Sequence, residues 1–185
     1  MELFNAKRNM KYPVMITIIG SILLVLMLFL PFASAKGEYK EELKENSEKM
    51  YSETMTCGDA VNISLTEFIG IYSEIEGDTA SATKTVIVIF IVLSGLTLIM
   101  SLCKKPAGIM LFAFLAVLAF MLIQADFSDR GVMSGDNYGW GVANFLTYII
   151  VIGIFVGAVW LFIQKKKIKK LELEAENGIA EEERQ

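Results

Sequence analysis

Histidine is missing from the sequence, and cysteine, arginine and proline are scarce. Histidine is the commonest general base and metal ligand near neutral pH, so its absence excludes Ser-His catalysis and the two-histidine zinc motifs. The two cysteines, Cys57 and Cys103, are too far apart for a CxxC redox or zinc motif. We therefore expect a protein that is not an enzyme, with no catalytic residues, no metal site and no cofactor.

Charged residues are also few, at 21% of a 185-residue chain that is 54% hydrophobic, and they occur in clusters. Between the clusters lie four uncharged apolar runs, at residues 13–32, 85–102, 107–125 and 142–163. Each run approaches the length of about 20 residues that crosses a bilayer as an α-helix. The sequence thus predicts an all-α membrane protein, a bundle of four transmembrane helices.

The basic residues alternate with the acidic ones from one side of the predicted spans to the other. Residues 1–12, 103–106 and 164–185 hold the basic clusters, whereas residues 33–84 and 126–141 are acidic. The positive-inside rule predicts that both termini are cytoplasmic and that the two acidic loops are extracytoplasmic. We expect the tail lysines to anchor this topology and to attract lipid headgroups. They are Lys165, Lys166, Lys167, Lys169 and Lys170.

The end of the first span leaves one alternative open. Ala33, Ser34 and Ala35 form an A-x-A pattern that signal peptidase could cleave, which would leave three spans. Against cleavage, the preceding apolar run is longer than the 7 to 15 or so residues of a usual signal peptide. The low histidine and cysteine content, with abundant isoleucine and lysine and no transit signal, favours a bacterial plasma membrane.

The first external loop is expected to be helical. Its first half has a thin apolar stripe of Tyr39, Leu43 and Met50, which favours a charged helix that extends span one. Its second half begins with a capping box at Ser64 and Glu67. An apolar helix face follows, and it would either pack on the bundle or meet the membrane interface or a partner. This candidate interface comprises Leu65, Phe68, Ile69, Tyr72 and Ile75.

The second external loop is rich in turn-forming glycine, serine, aspartate and asparagine. Its three acids, Asp126, Asp129 and Asp136, invite a calcium hypothesis, but their spacing does not fit the EF-hand pattern. We do not expect a metal site here.

The predicted spans contain no ionisable residue, although such residues usually mark ion pathways and intramembrane catalysis. Proton-coupled transport is poorly supported for this reason. Gly153 and Gly157 form a GxxxG pattern in span four, which allows close helix packing within the bundle or between two copies of the chain.

Four spans with a larger first external loop are similar in layout to claudins and tetraspanins. The paired cysteines and loop tryptophan signature of claudins are absent, as is the CCG of tetraspanins, so neither family is assigned. We expect a non-enzymatic protein that acts through partner or lipid contacts of its external helices. The alternative is an accessory or pore-forming subunit of a membrane transport complex. The expected partners are the bilayer and another membrane protein or a second copy; the tail's own acids argue against nucleic acid.

Overall fold

A computed structural model describes residues 2–53, 55–75, 77–133 and 135–182 of the chain. Four of its helices are long and apolar enough to cross a membrane, which confirms the predicted number of spans. These apolar segments run over Leu3–Phe29, Asp78–Leu102, Pro106–Asp129 and Val142–Asn177. The molecule has the architecture of a multi-pass membrane protein.

Seven helices and three short strands follow one another along the described chain. The helices are α1 (Glu2–Asn9), α2 (Lys11–Leu26), α3 (Gly37–Glu45), α4 (Leu65–Glu74), α5 (Asp78–Leu102), α6 (Pro106–Asp129) and α7 (Val142–Glu182). The strands are β1 (Pro31–Ala35), β2 (Asn62–Ser64) and β3 (Tyr138–Trp140). The first span consists of α1, α2 and a 3-10 turn at Met27–Phe29.

The four spans close into a ring in which α2 contacts α5 and α7, and α6 contacts the same two helices. A tight turn joins α5 to α6, and Lys104 has a positive φ of 54° in it. The amides of Lys104 and Lys105 donate 3.0 Å hydrogen bonds to carbonyls in the last turn of α5, which closes that helix end. Pro106 then begins α6, where a missing amide hydrogen is tolerated.

Small residues bring α2 and α7 into close contact. A methyl group added at Gly157 would lie 2.8 Å from Cγ2 of Ile16, and one added at Gly20 would lie 2.7 Å from Cγ1 of Ile154. A methyl group at Gly153 would meet nothing within 4 Å. The two glycines of the GxxxG pattern are therefore not equivalent, because Gly157 faces α2 of the same chain and Gly153 faces open space.

The polar residues buried in the spans bond mainly to their own helices. Ser21 donates to the carbonyl of Thr17 at 2.7 Å, and Ser101 donates to the carbonyl of Thr97 at 2.9 Å. The hydroxyls of Ser21 and Ser101 also lie 2.8 Å apart, so either one can donate to the other in place of its own helix carbonyl and link α2 to α5. This back-bonding keeps the hydroxyls satisfied in an apolar bundle.

An antiparallel sheet of order β2-β1-β3 covers one end of the bundle, and this differs from the all-helical loop that the sequence predicted. The predicted first span, 13–32, is also too long at its end, because α2 and its 3-10 turn stop at Phe29 and Pro31 begins β1. Proline has no amide hydrogen and disfavours helix in the preceding residue, so the chain leaves the helix here. The predicted helical extension of span one is therefore wrong.

The helix after β1 is also shorter than predicted. It ends at Glu45, and the chain then folds back through a bridge between Lys49 and Thr56. This return brings Met50 to 3.8 Å from the hydroxyl of Tyr39, so these two side chains meet through tertiary structure and not through one helix stripe.

The predicted capping box at the start of α4 is confirmed. The Ser64 hydroxyl accepts a hydrogen bond from the Glu67 amide, and the Glu67 carboxylate accepts one of 2.7 Å from the Ser64 amide. We call β1, α3, β2, α4 and β3 the cap, together with the loops at the same end of the bundle that join them to one another and to the spans.

The predicted cleavage pattern lies within the sheet. Ala33 and Ala35 are buried in β1, which is the middle strand and pairs with both others. Loss of residues 1–35 would therefore remove the strand that holds β2 and β3 together.

The three basic segments meet at the opposite end of the bundle, which we call the basic end. Lys7 forms a 2.9 Å salt bridge with Glu172 of α7, and Lys11 shares a cleft with Lys104. Helix α7 is 41 residues long, about twice the length that a bilayer requires, and its second half is the charged stretch that follows the uncharged run of residues 142–163. The helix therefore continues unbroken past the predicted end of the fourth span at residue 163.

Candidate functional site

Titratable groups are sparse in the bundle. Among the described residues, no group of three or more cysteines, aspartates and glutamates could hold a metal ion. An amide network joins two spans, in which Gln124 of α6 donates to Asn144 and accepts from Tyr148 of α7. These groups satisfy one another, so the network joins two helices and presents no open reactive group.

The feature best suited to binding is a cavity of about 480 Å³ in the cap. It lies between α4, the sheet and the loop before β3, and most of its lining is apolar or aromatic. Its lining residues are Ala33, Tyr51, Ile63, Phe68, Ile71, Tyr72, Ile75, Gly131, Val132, Gly135, Asp136, Asn137 and Tyr138. A mainly apolar cavity with a few polar groups is typical of small-molecule and side-chain binding sites.

A cluster of aromatic rings supports the cavity floor. Phe68 lies 4.7 Å from Phe127 and 6.4 Å from Phe32, measured between ring centroids, and both contacts are edge-on. Phe32 also contacts Phe120 and Trp140, with centroids 5.7 Å and 5.5 Å away. Each edge-to-face pair of this kind contributes roughly 0.5–1.5 kcal/mol to stability beyond the burial of apolar area. These contacts restrict the movement of Phe68, which lines the cavity.

Tyr51 and Tyr138 line one wall of the cavity, and Tyr39 packs against Tyr138 with ring centroids 5.5 Å apart. The hydroxyls of Tyr39 and Tyr51 lie 3.0 Å apart, and Tyr138 donates a 2.8 Å hydrogen bond to the carbonyl of Ala60. Burial, with the neighbouring Tyr51, raises the pKa of Tyr39 to about 12, and the same two causes raise the pKa of Tyr138. These phenols therefore stay protonated at physiological pH.

Tyr51 itself stands at the mouth of the cavity in a strained backbone conformation. Its φ of 65° lies in the left-handed region, which non-glycine residues with large side chains seldom adopt. Its side chain is 43% exposed although it is aromatic. Strain of this kind often accompanies a functional position, because the surrounding structure must hold it.

An ion pair at the end of α6 lies beside Tyr72, one of the residues that line the cavity. Arg130 contacts Asp126 at 2.6 Å and donates a 3.0 Å hydrogen bond to the carbonyl of Thr79, which ties α6 to α5. Its guanidinium carbon lies 5.9 Å from the ring centroid of Tyr72. Burial is the main cause that raises the pKa of Tyr72, and its hydroxyl makes no hydrogen bond with the part of the chain that the structure describes. Tyr72 thus offers the cavity a protonated donor.

The predicted interface divides between the core, the cavity and the surface. Leu65 is buried in the core, Ile69 is half-buried, and Phe68 and Tyr72 are buried in the chain while lining the cavity. Only Ile75 is freely exposed, at 49%, and it stands on the cavity rim.

Several cavity residues escaped the sequence analysis. Ile71 lies outside the helix face that was singled out, although it is buried and lines the cavity. Val132 and Tyr138 come from the second loop, which the pairing of β1 with β3 brings alongside α4. Periodicity within one segment carries no signal for such a contact.

The remaining predicted residues lie away from the cavity, in α7. Gly157 packs on α2 within the chain, whereas Gly153 does not contact another helix closely. The five tail lysines are exposed on the second half of α7. Comparisons of the chain with protein-family models, curated proteins and solved structures found no match.

Proposed function

We propose that this chain is a non-enzymatic plasma membrane protein whose cap binds a partner membrane protein by accepting an apolar side chain in the cavity. The observation that carries the proposal is the cavity itself, which is mainly apolar and opens at the cap surface. Its rim continues into two large exposed side chains, Ile75 and Tyr51. An apolar surface that extends from a cavity suits a protein partner better than an enclosed small molecule, because it adds contact area around the anchor.

The polar groups of the cavity suit the same occupant. Tyr72 can donate a hydrogen bond to a partner carbonyl, and Asp136 can accept one from a backbone amide or a basic side chain. A few polar groups of this kind fix the orientation of an apolar anchor.

The proposed orientation places the cap outside the cell and both termini in the cytoplasm. Its support is that the lysines of three segments gather at the end opposite the cap, as the positive-inside rule requires of cytoplasmic segments. Cys57 is a poor reporter of this orientation because it is buried in the cap. A cysteine replacing exposed Glu42 in a Cys57→Ser background should react with an impermeant thiol reagent in intact cells. Exposed Cys103 should react only after permeabilisation, and the reverse pattern would refute the orientation.

Site-specific photocrosslinking in intact cells tests partner binding. A photoreactive amino acid at Ile75, on the cavity rim, should capture a defined protein, whereas the same group at exposed Ser73 of α4 should not. Val132→Trp should fill the cavity and abolish the Ile75 adduct while the chain still reaches the membrane. An adduct that survives Val132→Trp, or equal capture from Ser73, would contradict the proposal.

The identity of the captured protein separates the proposed function from its alternative. A transport component at Ile75 would make this chain an accessory subunit of a transport complex, and the cavity would be its docking point. A lipid adduct in place of a protein would refute the choice of partner.

A further inference from the structure

The basic end contains a second cleft, of about 250 Å³, that the cap function does not involve. It lies where the start of α2 meets the turn between α5 and α6. Its lining residues are Met10, Lys11, Val14, Met15 and Lys104. Two ammonium groups and three apolar side chains thus line one small space.

The two lysines of this cleft are not neutralised by the protein. Neither Lys11 nor Lys104 forms a salt bridge with any side chain that the structure describes. Lys7 and Lys170, at the same end, both pair with glutamates of α7. The cleft therefore keeps an uncompensated positive charge. Four lysines of α7 likewise form no salt bridge with a described side chain, so the apolar lining, and not charge alone, distinguishes this cleft; they are Lys165, Lys166, Lys167 and Lys169.

Backbone geometry holds one of these charges in place. Lys104 adopts a φ of 54° in the turn that follows α5, and its amide is bonded to the Ser101 carbonyl at 3.0 Å. Lys11 begins α2. One lysine is thus fixed by its backbone at the start of α2, and the other in the turn between α5 and α6.

The apolar side of the cleft continues into the membrane-facing surface. Met15 is 56% exposed one turn along α2, and Tyr12 is 60% exposed beside it, as is typical of an aromatic side chain at the membrane interface. Methionine side chains are flexible and adapt to irregular apolar shapes such as an acyl chain. The lysine stems can lie along the same surface with their charges toward the water.

We propose that this cleft is a binding site for an anionic phospholipid, with its phosphate between Lys11 and Lys104 and an acyl chain along Val14 and Met15. Charge complementarity to the two lysines and the apolar side of the cleft select this occupant. A phosphate at the interface would meet both ammonium groups, and only a lipid also supplies an apolar chain at the level of Met15. The site is separate from the cleft on α7, whose lining residues are all lysines except Leu173.

Native mass spectrometry of the purified full-length chain tests the site, with dioleoyl phosphatidylglycerol or dioleoyl phosphatidylcholine added in detergent. The wild type should retain phosphatidylglycerol in preference to phosphatidylcholine. Lys11→Gln/Lys104→Gln should weaken phosphatidylglycerol retention on the order of 30-fold if each lysine contributes as a lysine near an anionic membrane surface does. The matched control, Lys167→Gln/Lys169→Gln, removes the same charge from exposed positions of α7 and should change retention by less than about twofold.

Three results would overturn the proposal. Equal losses in the two variants would mean that the lysines act as a diffuse charged belt. Equal retention of both lipids by the wild type would mean that the anionic headgroup is not recognised. Displacement of the lipid by inorganic phosphate would mean that the acyl chain contributes nothing. Lys11→Arg/Lys104→Arg should retain the lipid, which separates loss of charge from misfolding.

Discussion

The close approach of α2 and α7 predicts opposite outcomes for one substitution at two sites on the same helix. At Gly157 an added methyl group would lie 2.8 Å from Cγ2 of Ile16 and 3.0 Å from Cγ2 of Thr17, whereas at Gly153 it would meet nothing within 4 Å. Both neighbours are β-branched and stiff at χ1. Thr17 is held further because its hydroxyl donates a 3.0 Å hydrogen bond to the Val14 carbonyl. The methyl group cannot be accommodated by a simple change of rotamer.

The size of the effect follows from packing alone. Overpacking of a close-packed interface costs about 1–3 kcal/mol. In water, alanine would regain about 1 kcal/mol over glycine through helix propensity. A membrane helix largely keeps its helical structure when the bundle comes apart, so that gain applies to both states and cancels. Gly157→Ala should therefore lower the free energy of unfolding by about 1–3 kcal/mol, and Gly153→Ala should change it by less than about 0.5 kcal/mol.

Unfolding in mixed micelles of dodecyl maltoside and sodium dodecyl sulfate, followed by tryptophan fluorescence, measures both variants. Ile16→Ala removes the contacted Cγ2 and should restore most of the stability that Gly157→Ala loses, because the coupling is local. A Gly157→Ala variant as stable as the wild type would refute the α2–α7 contact. A larger loss at Gly153 would instead indicate that the GxxxG pattern mediates association between two chains.

Two further predictions concern the cap. Ser64→Ala should destabilise α4 by about 1 kcal/mol through loss of its capping box, whereas Ser73→Ala, on the exposed face, should be nearly neutral; hydrogen exchange of α4 amides distinguishes the two. Raising the pH should loosen the cap, because the pKa of Tyr39 is raised from 10.0 to about 12. The neutral phenol is favoured by folding, so its contribution is present below about pH 10 and is lost as the pH rises through about 12. Trp140 fluorescence in a Trp160→Phe background should report this transition, and a signal unchanged up to pH 12.5 or so would contradict it.

The spans could be predicted from the sequence because each is specified by its own composition. Long uncharged runs, such as residues 85–102 and 107–125, must be helical in a bilayer, because an α-helix satisfies the hydrogen bonds of all its backbone groups within one segment. The capping box of α4 was also readable, because its two side chains are three residues apart and bond locally. The first span was misjudged at its end, where Pro31 belongs to a strand, and at its start, where the helical segment begins at Leu3 and not at residue 13.

The sheet could not be predicted, because its strands have three to five residues and are paired across long stretches of chain. The pairing of Ala33 with Trp140 joins segments more than a hundred residues apart. Alanine and serine, which make up most of β1, have no strong preference for strands, so nothing local marks it. The cavity depends on this pairing, so the cavity residues of the second loop could not be predicted either.

The same pairing ties the cap to the arrangement of the spans. β1 begins two residues after the turn that ends the first span, and β3 is separated from α7 by Gly141 alone. The Gly141 amide donates a 2.7 Å hydrogen bond to the Phe32 carbonyl, and a methyl group added at Gly141 would lie 2.2 Å from the Pro31 carbonyl oxygen. The backbones of these two segments are thus in contact at the point where β1 follows the first span and β3 precedes α7. Because this contact leaves no space between the two backbones, a shift of β1 against β3 would also have to move the adjoining ends of the first span and of α7.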